Sequence, residues 1–155
     1  SYKYMERKVK TPCVGVCSTV FGDQVCRGCK RFHHEVIEWN GYTDVQKETV
    51  WNRLESLKVL IMKSKIFIEN QVLLQSKLDS LKISYYDKVD PYCWVFDLIK
   101  QASQSINDLS EFGLKPLFEP DVELVELKRL IEEELFTLSD AHYQRYFALE
   151  DNYRV

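Results

Sequence analysis

From residue 43 onward the apolar positions recur at three- and four-residue steps. Val50, Leu54, Leu57, Ile61, Ile68, Val72 and Leu78 form one stripe, widened by Trp51, Leu60, Phe67 and Leu74. That period marks an amphipathic helix. Neither Gly nor Pro occurs between Gly41 and Pro91. The pattern therefore predicts one helix over 44–82, with a break near Asn70 or Gln75-Ser76 as the two-helix alternative. Thr43 supplies an N-cap, and Gln46, three residues on, completes a capping box. A stripe this long suits an antiparallel helical hairpin or an intermolecular coiled coil.

The flanking segments are helical too. Lys30 to Gly41 reads as a short helix with Phe32, Val36, Ile37 and Trp39 on its apolar side and Asn40-Gly41 as its stop. Asp90 can cap, and Pro91 can open, a helix carrying Trp94, Val95, Leu98, Ile99, Ala102, Ile106 and Leu109, ending near Phe112-Gly113. It is expected to pack antiparallel on the end of the long helix. Leu114 to Pro120 reads as a linker. Pro120 or Asp121 opens a last helix with Val122, Val125, Leu127, Leu130, Ile131, Leu135 and Leu138, restarting at Ser139-Asp140. Outside the cysteine segment described below, nothing alternates long enough to predict a strand. The expected fold is all-α. It comprises an N-terminal knuckle with its short helix over 1–41, a long helical hairpin over 42–113 and a C-terminal helical segment over 114–155.

Composition agrees with a folded chain, since 45% of the 155 residues are apolar and 13% aromatic. Three of the five Gly (Gly15, Gly22, Gly28) lie within the first thirty residues, where tight turns are needed. The net charge of −3 hides an uneven distribution: +5 over 1–31, −1 over 32–105 and −7 over 106–155. A basic head joined to an acidic tail half points either to internal complementarity or to a head that meets phosphate or an acidic protein surface.

The head also carries the candidate chemistry. Cys13, Cys17, Cys26 and Cys29 fall within the first thirty residues. Four thiolates this close can hold one metal ion in a segment too small to build its own core. The N-terminus is charged and lacks an apolar run with a cleavage site, and no stretch reaches the roughly 18–20 apolar residues of a membrane span. The expectation is thus a cytoplasmic chain, off the membrane, whose reduced thiols favour metal over disulfides. Zinc is the commoner occupant of four local thiolates, and an iron–sulfur cluster is the alternative. A closed four-ligand site performs no chemistry of its own. Arg27, Lys30 and Arg31 lie alongside and can offset its negative charge. His33 and His34 are expected outside the ligand set, and His142 on the surface. Cys93 is expected to be buried and inert.

The residues Thr11-Pro12-Cys13-Val14-Gly15-Val16-Cys17, then Val25-Cys26-Arg27-Gly28-Cys29-Lys30-Arg31, then Glu35, Trp39 and the helix from Thr43 resemble a bacterial family, domain-of-unknown-function family 1289. The resemblance covers about residues 9–57, and all four cysteines match. It implies a bacterial, cytoplasmic metal-binding module, described as an iron–sulfur protein, with no established reaction.

The sequence contains no Gly-rich phosphate loop, no His-Glu-x-x-His run and no dinucleotide fingerprint. Glu132-Glu133-Glu134 reads as a solvated helix face. The expectation is a non-enzymatic zinc-binding adaptor that docks on a larger bacterial assembly. A knuckle on a long helical arm is architecturally akin to regulators of RNA polymerase, with Asp79, Asp87 and Asp90 at the arm's tip. One alternative is iron–sulfur electron transfer or redox sensing. Another is nucleic-acid binding, with Lys3, Arg7, Lys8, Lys10, Arg27, Lys30 and Arg31 on phosphate and Tyr2, Tyr4 or Phe32 stacking on bases.

Overall fold

A computed structural model of the chain describes residues 11–148. They are mostly helical: α1 (His33–Glu38), α2 (Asp44–Lys65), α3 (Gln71–Ser80), α4 (Pro91–Ala102) and α5 (Leu124–Tyr143). Two short strands, β1 (Ile66–Ile68) and β2 (Leu114–Pro116), pair antiparallel with Phe67 opposite Lys115. The all-α expectation holds for the bulk of the described residues, and this small sheet is the departure from it. None of the helices among the described residues is long and apolar enough to cross a membrane.

The predicted 44–82 helix is two helices. α2 begins at the expected capping box: the Thr43 N–H donates to Gln46 Oε1 (2.8 Å), and the Gln46 N–H donates to Thr43 Oγ1 (3.2 Å). It ends where Ile66-Phe67-Ile68 turns extended. Asn70 then caps α3, its Oδ1 accepting from the Leu73 N–H at 3.0 Å. The Gly113 carbonyl accepts from both the Glu69 and Asn70 N–H groups (2.8 and 3.0 Å). Donors at the break are therefore satisfied by Gly113, the residue read as the end of the helix from Pro91. Asp79 and Asp90, expected at an arm tip, have internal roles. Asp79 Oδ1 accepts from the Tyr85 hydroxyl at 2.7 Å, and Asp90 caps α4 through the Tyr92 N–H.

The contacts separate two units among the described residues: 58–132, and 11–57 together with 133–148. The 58–132 unit has a continuous apolar interior that includes Met62, Ile66, Leu74, Leu78, Val95, Leu98, Ile99, Leu114 and Leu127. Tyr85 is fully buried there, its ring 5.4 Å from that of Trp94, whose indole N–H donates to the Tyr86 carbonyl. α4 ends at Ala102, short of the expected Phe112, and Leu109–Phe112 forms a separate 3-10 turn.

The other unit has two smaller clusters. Trp39, Val50, Trp51 and Leu54 form one, with Tyr42 against it. Val25, Phe32 and Tyr143 form the second, flanked by Phe136 and Phe147. α5 does not restart at Ser139. That residue is buried, and its hydroxyl donates back to the Leu135 carbonyl. The helix instead loosens into a π-turn over Gln144–Ala148.

Candidate metal centre

Cys26 and Cys29 sit on one tight turn. The Lys30 N–H donates to the Cys26 carbonyl at 2.8 Å, and Lys30 adopts φ 67°, closing the turn. Val25 and Phe32 form a bridge that holds its two ends together. Burial pushes the Cys26 thiol up, but the N–H groups of Cys29, Ser18 and Gly28 and the Cys29 thiol bring it down to about 7. Amides directed at a sulfur stabilise its thiolate, the form that ligates a metal. Burial pushes the Cys29 thiol up, opposed by the Arg31 guanidinium, whose Nε donates to Cys29 Sγ at 3.2 Å.

The first cysteine pair lies on a loop that crosses this turn. Gly28 explains how closely: a Cβ there would meet Val14 Cγ2 at 2.7 Å and the Val16 carbonyl at 2.8 Å. The Cys26 thiol donates to that carbonyl at 3.7 Å, and the Arg27 N–H donates to Ser18 Oγ at 2.8 Å. The thiols of the first pair are held within their own loop. Cys13 Sγ accepts from the Gly15 N–H, and Cys17 Sγ shares a 2.8 Å hydrogen bond with the Thr19 hydroxyl. Among the described residues no three His, Cys, Asp or Glu side chains converge to a metal-binding group. The turn brings the Cys26 and Cys29 thiols within hydrogen-bonding reach of each other. Cys13 and Cys17 lie on the adjoining loop but are not gathered with it.

The basic residues of the head are only partly available. Lys3, Arg7, Lys8 and Lys10, with Tyr2 and Tyr4, lie outside the described residues. Lys30 and Arg31 are buried, at 2% and 4% exposure, which corrects their expected place on a phosphate-facing surface. Lys30 Nζ donates to the Gly28 carbonyl, and the Arg31 guanidinium lies 4.9 Å from the Trp39 ring. Arg27 is exposed but sits 4.1 Å over Phe136 and 3.5 Å from Asp23. Phe32 is buried and unavailable for stacking on a base.

Glu35 anchors the head to α2. Both its oxygens accept from Arg53, at 2.7 and 2.6 Å, and Oε1 also accepts from the Phe32 N–H. The Arg53 guanidinium lies 4.0 Å from the Phe32 ring. Sequence reasoning missed Arg53 because nothing in a helix pattern singles out one exposed-looking cation. His142 was expected on the surface, but it is partly buried and stacks on Phe32 at 5.9 Å. His34 is partly buried against Phe32 and Phe147. Cys93 is buried at the start of α4.

Most of these features lie within one stretch that matches a family. Residues 11–58 match the family described as Protein of unknown function (DUF1289). The remainder of the chain is unrecognised. No curated protein and no solved structure matches this chain. The DUF1289 stretch contains the four cysteines, Glu35, Trp39 and Arg53 but not Phe136, Tyr143 or Phe147. The C-terminal part of α5 and the turn after it thus add an aromatic cover to Val25 and Phe32 of the matched stretch.

Proposed function

We propose that residues 11–31 form a metal-binding head, with Cys13, Cys17, Cys26 and Cys29 as ligands and zinc as the metal, and that the protein is a non-enzymatic adaptor. The observation that carries this reading is the Cys26–Cys29 turn, where three backbone N–H groups favour the thiolate of Cys26. A bound ion would add the charge that draws the two loop cysteines onto the same centre. With all four positions filled by protein, such a site holds shape and does no chemistry.

The surface of that head favours docking on protein. Val16 and, on the 3-10 turn Ser18–Phe21, Val20 and Phe21 are 69%, 74% and 86% exposed. Exposed apolar side chains close together in sequence on a small loop favour a protein-binding surface. The burial of Lys30 and Arg31 weighs against a phosphate-binding face at the same place. The break at Ile66–Ile68 in the predicted 44–82 helix shortens the arm on which the comparison with RNA polymerase regulators rests.

Metal analysis with an absorption spectrum on anaerobically purified protein tests the reading. The expectation is about one zinc per chain and no visible band. Cys17→Ser is expected to lower zinc affinity as Cys26→Ser does. A brown protein containing iron and labile sulfide would replace the zinc reading with the iron–sulfur one. Unchanged affinity in Cys17→Ser would show that the loop pair takes no part.

A further inference from the structure

A second site lies in the 58–132 unit, in sequence that matches no family. The segment leaving α4 and the run from Pro116 into the start of α5 line a cleft of about 770 Å³. That is within the roughly 300–1,000 Å³ range of small-molecule sites. Ile106 and Leu109 form a buried apolar floor, and Phe118 forms a partly buried wall.

Ser103 lines the same cleft and is only 7% exposed. Its N–H donates to the Ile99 carbonyl, but its hydroxyl has no partner among the described residues. A buried hydroxyl left unpaired costs about 1–3 kcal/mol. Such a group at the wall of a cleft is poised for a ligand atom.

The charge of the lining selects the ligand. Asp108 and Glu123 line the cleft, and no Lys, Arg or His does. Asp108 Oδ1 accepts from both the N–H and the hydroxyl of Ser110, and neither Asp108 Oδ2 nor the Glu123 carboxylate has a partner among the described residues. The partial positive charge of the α5 N-terminus, roughly half a unit, is smaller than these two full negative charges.

We propose that this cleft binds a small amphipathic amine. Its apolar body would lie on Ile106, Leu109 and Phe118, a polar atom would meet the Ser103 hydroxyl, and its ammonium would sit by Asp108 and Glu123. The inference is independent of the metal centre. Titration of the isotopically labelled full chain with tryptamine, followed by amide NMR, tests it. Indole-3-propionate, with a similar ring and opposite charge, is the control. Tryptamine is expected to give saturable shifts confined to amides of 103–110 and 118–125. Asp108→Asn with Glu123→Gln is expected to weaken binding about 10-fold, since charge-assisted contacts are lost while Asn retains capping ability. Ser103→Ala is expected to weaken binding about 5-fold without lowering the melting temperature, because the group removed has no internal partner. Equal binding of indole-3-propionate, shifts spread elsewhere, or no shift at about 5 mM tryptamine, where even millimolar affinity would register, would each overturn the proposal.

Discussion

Arg53 holds two groups at once, a carboxylate below a buried backbone N–H and the face of Phe32. Its bidentate pairing with Glu35 is largely shielded from water, with 18% of the Arg53 and 6% of the Glu35 side chain exposed. Removing one member of such a pair leaves the other charge buried, which costs about 3–5 kcal/mol. Arg53→Ala is expected to lose stability of that order in urea unfolding. Arg53→Lys should recover little, because an ammonium cannot reproduce the two-pronged geometry. A small loss for Arg53→Ala would mean the pair is solvated. Asp97, in the other unit, shows the opposite sign. Burial pushes its carboxyl up to about 6 against the pull of Lys58 and Lys100. The unfolded chain ionises it near pH 4. The folded state therefore binds its proton more tightly, and stability from this group falls as pH rises from about 4 to about 6. Asp97→Asn is expected to gain about 1–2 kcal/mol at pH 7 and nothing at pH 4. Equal effects at the two pH values would count against this account.

At the scale of elements, the chain's capping chemistry was legible and its strands were not. Thr43-x-x-Gln46 and Asp90-Pro91 act through contacts within a few residues, so their geometry follows from sequence. β1 is only three residues long, and Phe67 and Ile68 continue the helical stripe well enough to hide it. Its partner β2 lies some fifty residues on, beyond any local pattern. The joint between them depends on Gly113, at φ 68°, where an added Cβ would lie 2.5 Å from the Asn70 carbonyl oxygen and 2.9 Å from Asn70 Cβ. The backbone there is both left-handed and crowded, two conditions that glycine alone satisfies cheaply. Gly113→Ala is expected to cost about 2–4 kcal/mol, combining backbone strain with overpacking. Asn70→Ala, which removes only the α3 cap, should cost about 1 kcal/mol. Thermal melts of the two variants check the order. An equal or smaller shift for Gly113→Ala would mean that the joint yields easily.

At the scale of the whole molecule, charge counting left two uses open for the head's excess of Lys and Arg, internal pairing or an exposed basic face, and Lys30 and Arg31 follow the first. Burial of Lys30 and Arg31 depends on Gly28 and Trp39 receiving them, which no charge count records. The cysteine spacing was legible because four thiols in so short a span have few uses. The local bonds of the loop thiols to the Gly15 N–H and the Thr19 hydroxyl were not, since they follow from the loop's backbone conformation.

That arrangement gives the metal a folding role that can be measured. Residues 11–31 contribute few buried apolar side chains besides Val25 and Cys26. Metal binding can supply about 10 kcal/mol or more to such a segment. The 58–132 unit has its own interior and, apart from Cys93, no thiol. Cys26→Ser is therefore expected to lose bound zinc and to expose the amides of 11–31 to rapid hydrogen exchange. Amides of Leu74, Leu78 and Leu98 should keep their protection, and the far-ultraviolet circular dichroism should retain most of its helical amplitude. Chelation of wild-type protein should reproduce the same pattern, separating loss of metal from damage by the serine. Unchanged zinc content in Cys26→Ser would remove Cys26 from the ligand set. Loss of protection in both regions would show that the metal sustains the whole fold rather than the head.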